Sequence, residues 1–115
     1  MSLPLIIVNP ESAGGATRDA WPKIASDLRS HFGAFAVAFT TRAGEGTELA
    51  AEAARKGARF IIACGGDGTI SEVANGILNS GKDVELGILP SGTGGDFRRT
   101  LGISMRTRDS TKILR

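Results

Sequence analysis

The chain has one cysteine, one histidine and no tyrosine. A lone Cys64 cannot form an internal disulfide, and a single Cys with a single His (His31) cannot supply a zinc site. No apolar run reaches the ~18 residues of a membrane span; Leu5–Val8 and Phe60–Ala63 have strand length. The start has no basic segment leading into an apolar stretch, so no secretory signal is visible. With so little cysteine, a reducing cytoplasmic setting is expected. Charge of one sign is also scarce: the net charge is +2. Nothing in that balance asks for nucleic acid, and none is expected as a partner. Its distribution is uneven, because residues 98–115 carry +5 and the first 97 carry −3. Such a basic end is a solvated helix face or a contact for phosphate, an anionic membrane surface or a partner. What remains is an ordinary globular composition, 41% hydrophobic and 23% charged over 115 residues, enough for one domain. Glycine is the excess, with 16 residues, about twice the usual ~7%.

Short apolar runs alternate with amphipathic stretches. Leu3–Val8 is predicted as a strand buried on both faces. Thr17–Phe32 has apolar residues at helical spacing (Trp21, Ile24, Ala25, Leu28, Phe32), with Pro22 assigned to its first turn and Gly33 as its stop. Ala34–Thr40, Arg59–Cys64 and Glu85–Leu89 are predicted strands. Glu45–Lys56 and Thr69–Leu78 are predicted helices, and Gly95–Leu101 and Thr107–Arg115 are weaker helical segments. The alternation predicts an α/β fold, three layers (αβα) around a mostly parallel sheet of four strands. The chain ends inside a helical pattern, so a fragment of a longer protein is expected.

In such folds ligands bind beyond the carboxyl ends of the strands, and here those ends hold the unusual residues. They are Asn9–Gly15, Thr40–Gly44, Gly65–Thr69 and Pro90–Phe97. Gly65-Gly66-Asp67-Gly68-Thr69 directly precedes a helix. Its glycines permit a left-handed backbone, expected at Gly68, and close approach of a phosphate to N–H groups; the helix end adds a favourable dipole. Thr69 can cap the helix or donate to phosphate. Asp67 repels phosphate unless Mg²⁺ or a substrate hydroxyl intervenes, which suggests a nucleotide with metal or a proton to be accepted. A tight strand–helix turn explains the same loop by itself. The second loop, Ser91-Gly92-Thr93-Gly94-Gly95-Asp96, makes that plainer explanation harder, since a turn usually needs one glycine. Neither the P-loop nor the G-x-G-x-x-G fingerprint is present: Ser71 follows Gly66-x-Gly68, and Phe97 follows Gly92-x-Gly94.

Asn9-Pro10 with its following glycines, Gly65-Gly66-Asp67-Gly68-Thr69-x-x-Glu72-Val73-x-Asn75-Gly76, and Leu89-Pro90-x-Gly92-Thr93-Gly94-x-Asp96-Phe97 together resemble the diacylglycerol kinase catalytic domain. That family includes bacterial lipid kinases and sphingosine and ceramide kinases. Gly-Gly-Asp-Gly alone is shared with NAD kinases and phosphofructokinases. The resemblance implies the N-terminal fold shared by NAD kinases and diacylglycerol kinases, with residues 1–115 as the ATP-binding domain. It implies ATP and Mg²⁺ at the rim. Asn9, Thr40 and Thr41 would border the nucleotide, and Gly65, Gly66, Asp67, Gly68 and Thr69 would cradle its phosphates. Glu72 and Asn75 would lie nearby, and Gly92, Thr93 and Gly94 would contact it from the fourth strand. Asp67 would be catalytic and Asp96 a metal ligand. The activity implied is transfer of the γ-phosphoryl of ATP to a lipid hydroxyl, diacylglycerol-like or sphingoid, by a cytoplasmic protein working at a membrane surface. Two departures stand out. Gly95 occupies a position where the family usually has Asn, and the family's β-rich C-terminal domain is missing, which would expose apolar surface and favour a homo-oligomer.

The remaining chemistry-bearing residues have plain explanations. Cys64 reads as a buried strand residue and His31 as a favourable cation in a helix's last turn. Trp21 faces the sheet, while Arg18 and Arg42 are rim residues within reach of phosphate. An NAD-kinase-like enzyme and a nucleotide-binding module without turnover are the alternatives, and the Leu89–Phe97 motif disfavours the first.

Overall fold

The computed structural model describes residues 3–90 and 101–105. Five strands, β1 (Leu5–Val8), β2 (Ala36–Phe39), β3 (Phe60–Gly65), β4 (Val84–Pro90) and β5 (Leu101–Met105), form one sheet in the order β2-β1-β3-β4-β5. The first four are parallel, and β5 adds antiparallel to β4 with Leu86 opposite Ile103. Three helices connect the parallel strands: α1 (Ala16–Phe32), α2 (Glu45–Arg55) and α3 (Asp67–Ser80).

The continuous apolar runs are explained by burial on both sheet faces. Ile6, Ile7 and Val8 are fully buried, as are Ile61, Ile62 and Ala63. Side chains alternate across the sheet. Ile6, Val8, Ile62, Cys64 and Leu89 therefore pack with Ile24 and Leu28 of α1. Ile7, Ile61, Ala63 and Leu86 pack with Ala50 and Ala54 of α2 and Val73 and Ile77 of α3. The helices thus lie on both faces, giving the three expected layers. Each fully buried Ile or Leu contributes about 1.5–3 kcal/mol. Trp21 packs against the α1-side core, edge-on to Phe39 with ring centroids 5.6 Å apart.

Three expectations change. α1 begins at Ala16, because Ala13, Gly14 and Gly15 all have left-handed backbone (φ 56, 66 and 92°) and end only there. Pro22 is the seventh residue of α1 and was already the sixth of the predicted helix, so it lies inside the helix and not in the first turn assigned to it. The fifth strand starts at Leu101, where the last residue of a short helix was expected. The rest of that segment, 95–100, and the helix over 107–115 lie outside the described residues. Finally, α3 starts at Asp67, two residues earlier than its apolar stripe predicts. Its first turn is therefore built from the glycine loop itself.

Among the described residues no helix is long and apolar enough to cross a membrane. β2 is an edge strand and leaves Val37 and Phe39 about four-tenths exposed.

Candidate functional site

The strand order fixes where a site can form. From β1 the chain passes through α1 to β2 on one side; it then crosses β1 through α2 to reach β3 on the other. That reversal opens a crevice beyond the carboxyl ends of β1 and β3. A cavity of about 600 Å³ occupies it, lined by Asn9, Pro10, Glu11, Thr40, Thr41, Arg42, Ala43, Gly68, Thr69 and Glu72. Its walls are the loops after β1, β2 and β3.

The β1 wall is wired internally. The Asn9 side-chain oxygen accepts the Glu11 N–H at 3.1 Å, and the Ser12 hydroxyl donates to the Asn9 carbonyl at 2.8 Å. The Asn9 N–H bonds the Cys64 carbonyl at 3.0 Å, which joins this wall to β3. Arg18 makes ion pairs with Glu11 at 3.1 Å and Asp19 at 3.8 Å. In the β2 wall, Thr40 is buried, its N–H bonded to the Val8 carbonyl at 2.8 Å. Thr41 donates both its N–H (2.6 Å) and its hydroxyl (3.0 Å) to Glu45. Those two bonds hold the Glu45 carboxyl below its usual range. Arg42 lines the cavity while paired with Glu48 at 2.7 Å.

The β3 wall carries the glycine loop. The first helical residue, Asp67, follows the N-cap Gly66, and among the described residues no side chain is bonded to the first N–H groups of α3. Its leading N–H groups are therefore available to an anion. Gly66 is extended (φ −86°, ψ −170°), and Gly68 is helical rather than left-handed as expected, because α3 has already begun. Neither backbone requires glycine. Among the described residues, a Cβ built at either position would meet nothing within 4 Å. Gly65 is different: a Cβ there would lie 2.6 Å from the Thr69 hydroxyl oxygen, so packing alone requires its glycine. Thr69 is buried over Gly65 instead of capping α3, whose N-cap is Gly66.

Asn9, Thr40, Thr41, Gly68, Thr69 and Glu72 are thus brought to one cavity. Asp67 stands exposed beside Gly68, just outside the wall, and Asn75 is exposed further along α3 and does not line it. Gly92, Thr93, Gly94 and Asp96 lie outside the described residues. β4 itself ends at Pro90, which pairs with Gly65 at the end of β3. Pro10, Glu11 and Ala43 also join the wall; they were expected only as members of the rim loops Asn9–Gly15 and Thr40–Gly44, not as nucleotide-binding residues. Among the described residues no group of three His, Cys, Asp or Glu is placed to hold a metal. Cys64 is buried, and burial pushes its thiol up to about 12, so it is no nucleophile.

A mostly parallel α/β sheet with a cavity and a helix N-terminus at its switch point is an arrangement able to receive a phosphate. Comparison with known proteins narrows this to a family. The family model of the diacylglycerol kinase catalytic domain matches residues 4–115, and the chain belongs to that family. A Bacillus subtilis diacylglycerol kinase is 52% identical over 64 residues, which cover 56% of this chain and 21% of that protein. A Staphylococcus haemolyticus diacylglycerol kinase is 40% identical over 97 residues, 84% of this chain and 29% of the relative. The crystal structure of a Bacillus anthracis diacylglycerol kinase superposes with a TM-score of 0.69 at 34% identity, over 85% of this chain and 36% of that one. The chain therefore spans roughly a fifth to a third of the length of these relatives.

Proposed function

We propose that residues 1–115 form the nucleotide-binding part of a lipid kinase that transfers the γ-phosphoryl of ATP to a lipid hydroxyl, diacylglycerol-like or sphingoid. The observation that carries this reading is the pair Gly66 and Gly68. Among the described residues nothing blocks a side chain at either position, yet both are bare at the start of α3. A ligand whose oxygens approach those N–H groups explains the missing side chains; a turn does not. Family membership supplies the reaction class, since the relatives are named diacylglycerol kinases.

In this reading the phosphates rest on the first turn of α3, Thr69 borders them, and Asn9, Thr40 and Thr41 hold the nucleotide from the other two walls. Gly92, Thr93 and Gly94, which lie outside the described residues, are proposed as further contacts to the nucleotide. Asp67 accepts the proton of the lipid hydroxyl as its oxygen bonds to the γ-phosphorus and the bond to the β-phosphate oxygen breaks. Phosphoryl transfer depends mostly on positioning and charge neutralisation. The described residues do not themselves build a Mg²⁺ site, and Asp96, the proposed ligand, lies outside them. A lipid acceptor places the working protein at a membrane surface.

The test is an assay of the full-length gene product with γ-labelled ATP, offering diacylglycerol and sphingosine in mixed micelles and NAD in solution. Label in a lipid acceptor supports the proposal. Label only in NAD, or nucleotide binding without transfer to any acceptor, overturns it.

A further inference from the structure

Glu72 resembles a ligand-binding residue by position, being four residues after Gly68 on the same face of α3 and lining the cavity. Its carboxylate is nevertheless already committed. One oxygen accepts the Gly44 N–H at 3.0 Å, the other the Gly46 N–H at 3.0 Å, and the Glu72 carbonyl accepts the Thr47 hydroxyl at 2.9 Å. All three donors belong to the start of α2. The packing is tight, since a Cβ at Gly46 would lie 2.8 Å from the Glu72 carboxylate.

We infer that Glu72 is a positioning residue, a pin from α3 to the start of α2 that holds the Thr41–Ala43 wall opposite Gly68, and that it does not itself contact the nucleotide. The inference rests on the proposed nucleotide site. The mechanical chain is continuous. Thr41 is held by Glu45, the first residue of α2, through two hydrogen bonds. The turn Gly44–Gly46 is held by Glu72. Glu72 is rigidly set on the helix that begins at the phosphate loop. The pin also decides where an anion can sit. Two helix N-termini flank the cavity, each with orphan N–H donors and a positive dipole end. At α2 the Glu72 carboxylate already takes the Gly44 and Gly46 N–H groups, whereas among the described residues no side chain is bonded to the first N–H groups of α3. A nucleotide phosphate is thereby directed to α3.

The experiment uses Glu72→Gln in the full-length gene product. The amide retains the size of the side chain but turns one acceptor into a donor facing an N–H. Loss of one charge-assisted bond is expected to raise the KM for ATP about tenfold while kcat stays within about twofold. Amide hydrogen exchange supplies the second readout. Without nucleotide, the Gly44 and Gly46 amides should lose protection in the variant while Ile62 keeps its own. In the parent protein, added ATP should leave Gly44 and Gly46 protected. Should Glu72→Gln fail to fold, Thr47→Val removes only the bond to the Glu72 carbonyl and is expected to shift the ATP KM in the same direction, by about two- to threefold. Deprotection of Gly44 and Gly46 by ATP in the parent would overturn the inference, because the carboxylate would then have left its pin for the nucleotide. Unchanged KM and unchanged protection in Glu72→Gln would also overturn it. Neither outcome touches the proposed function, which fails separately if the parent binds no ATP.

Discussion

Substitution at Gly68 separates a ligand cradle from a turn more cleanly than any other change. Gly68 is the second residue of α3, has no left-handed backbone, and among the described residues would present a Cβ to open space. Replacing a helical glycine with alanine removes an entropic penalty, so Gly68→Ala is expected to be between neutral and about 1 kcal/mol more stable. By the usual scaling this leaves the melting temperature unchanged or raises it by a few degrees. The effect on nucleotide has the opposite sign. In a helix each Cα–Cβ bond tilts toward the N-terminus, so the new methyl projects toward the space in front of the free N–H groups. Displacing phosphate oxygens from one or two such bonds is expected to weaken ATP at least about tenfold, or roughly 1.4 kcal/mol. Gly68→Val should weaken it further. Calorimetric titration with ATP, beside thermal unfolding of each variant, measures both quantities. Equal ATP affinity in all three proteins would refute the reasoning and reduce the loop to a strand–helix connection. A large fall in melting temperature would equally show that the fold, and not a ligand, requires the glycine.

Other consequences follow from the same geometry. Asp67→Asn should leave unfolding almost unchanged, because Asp67 is exposed at the start of α3, yet lower kcat by roughly 10²-fold or more in the full-length gene product; near-parental turnover would remove Asp67 from the chemistry. Gly76→Ala should destabilise the protein by about 1–3 kcal/mol, because its Cβ would run into the Thr47 carbonyl oxygen and push α2 from α3; an unchanged urea midpoint would contradict that contact. The buried Cys64 thiol, raised to about 12, should resist a thiol reagent at pH 8 until the protein unfolds. Unfolding returns that thiol to its ordinary value near 9, so its contribution to stability is complete below about pH 9 and declines as pH rises toward 12. Reaction of the native protein at the rate of the denatured chain would show that Cys64 is accessible.

The parallel core was legible because Ile6-Ile7-Val8 and Ile61-Ile62-Ala63 have no polar alternation, and only burial on two faces tolerates that. The rim was legible because strand ends in such a fold converge, whatever the exact helix boundaries. β5 was not read, although Leu101, Ile103 and Met105 alternate with Gly102 and Ser104; a short helical reading of the preceding residues obscured a period of two. The role of Glu72 was hidden for a deeper reason. Its partners, Gly44 and Gly46, lie 28 and 26 residues earlier, and only packing of both α2 and α3 on one face of the sheet brings them together. Glycine shows the same limit in its sharpest form. Gly68 and Gly76 share one helix and one letter, but a methyl meets nothing at the first and a backbone carbonyl at the second. Composition counts both as glycine. Among the described residues, the neighbours in space assign one to packing between helices and give the other no structural reason to be glycine. That missing reason, found at an uncapped helix end beside a cavity, is what makes Gly68 informative about a ligand.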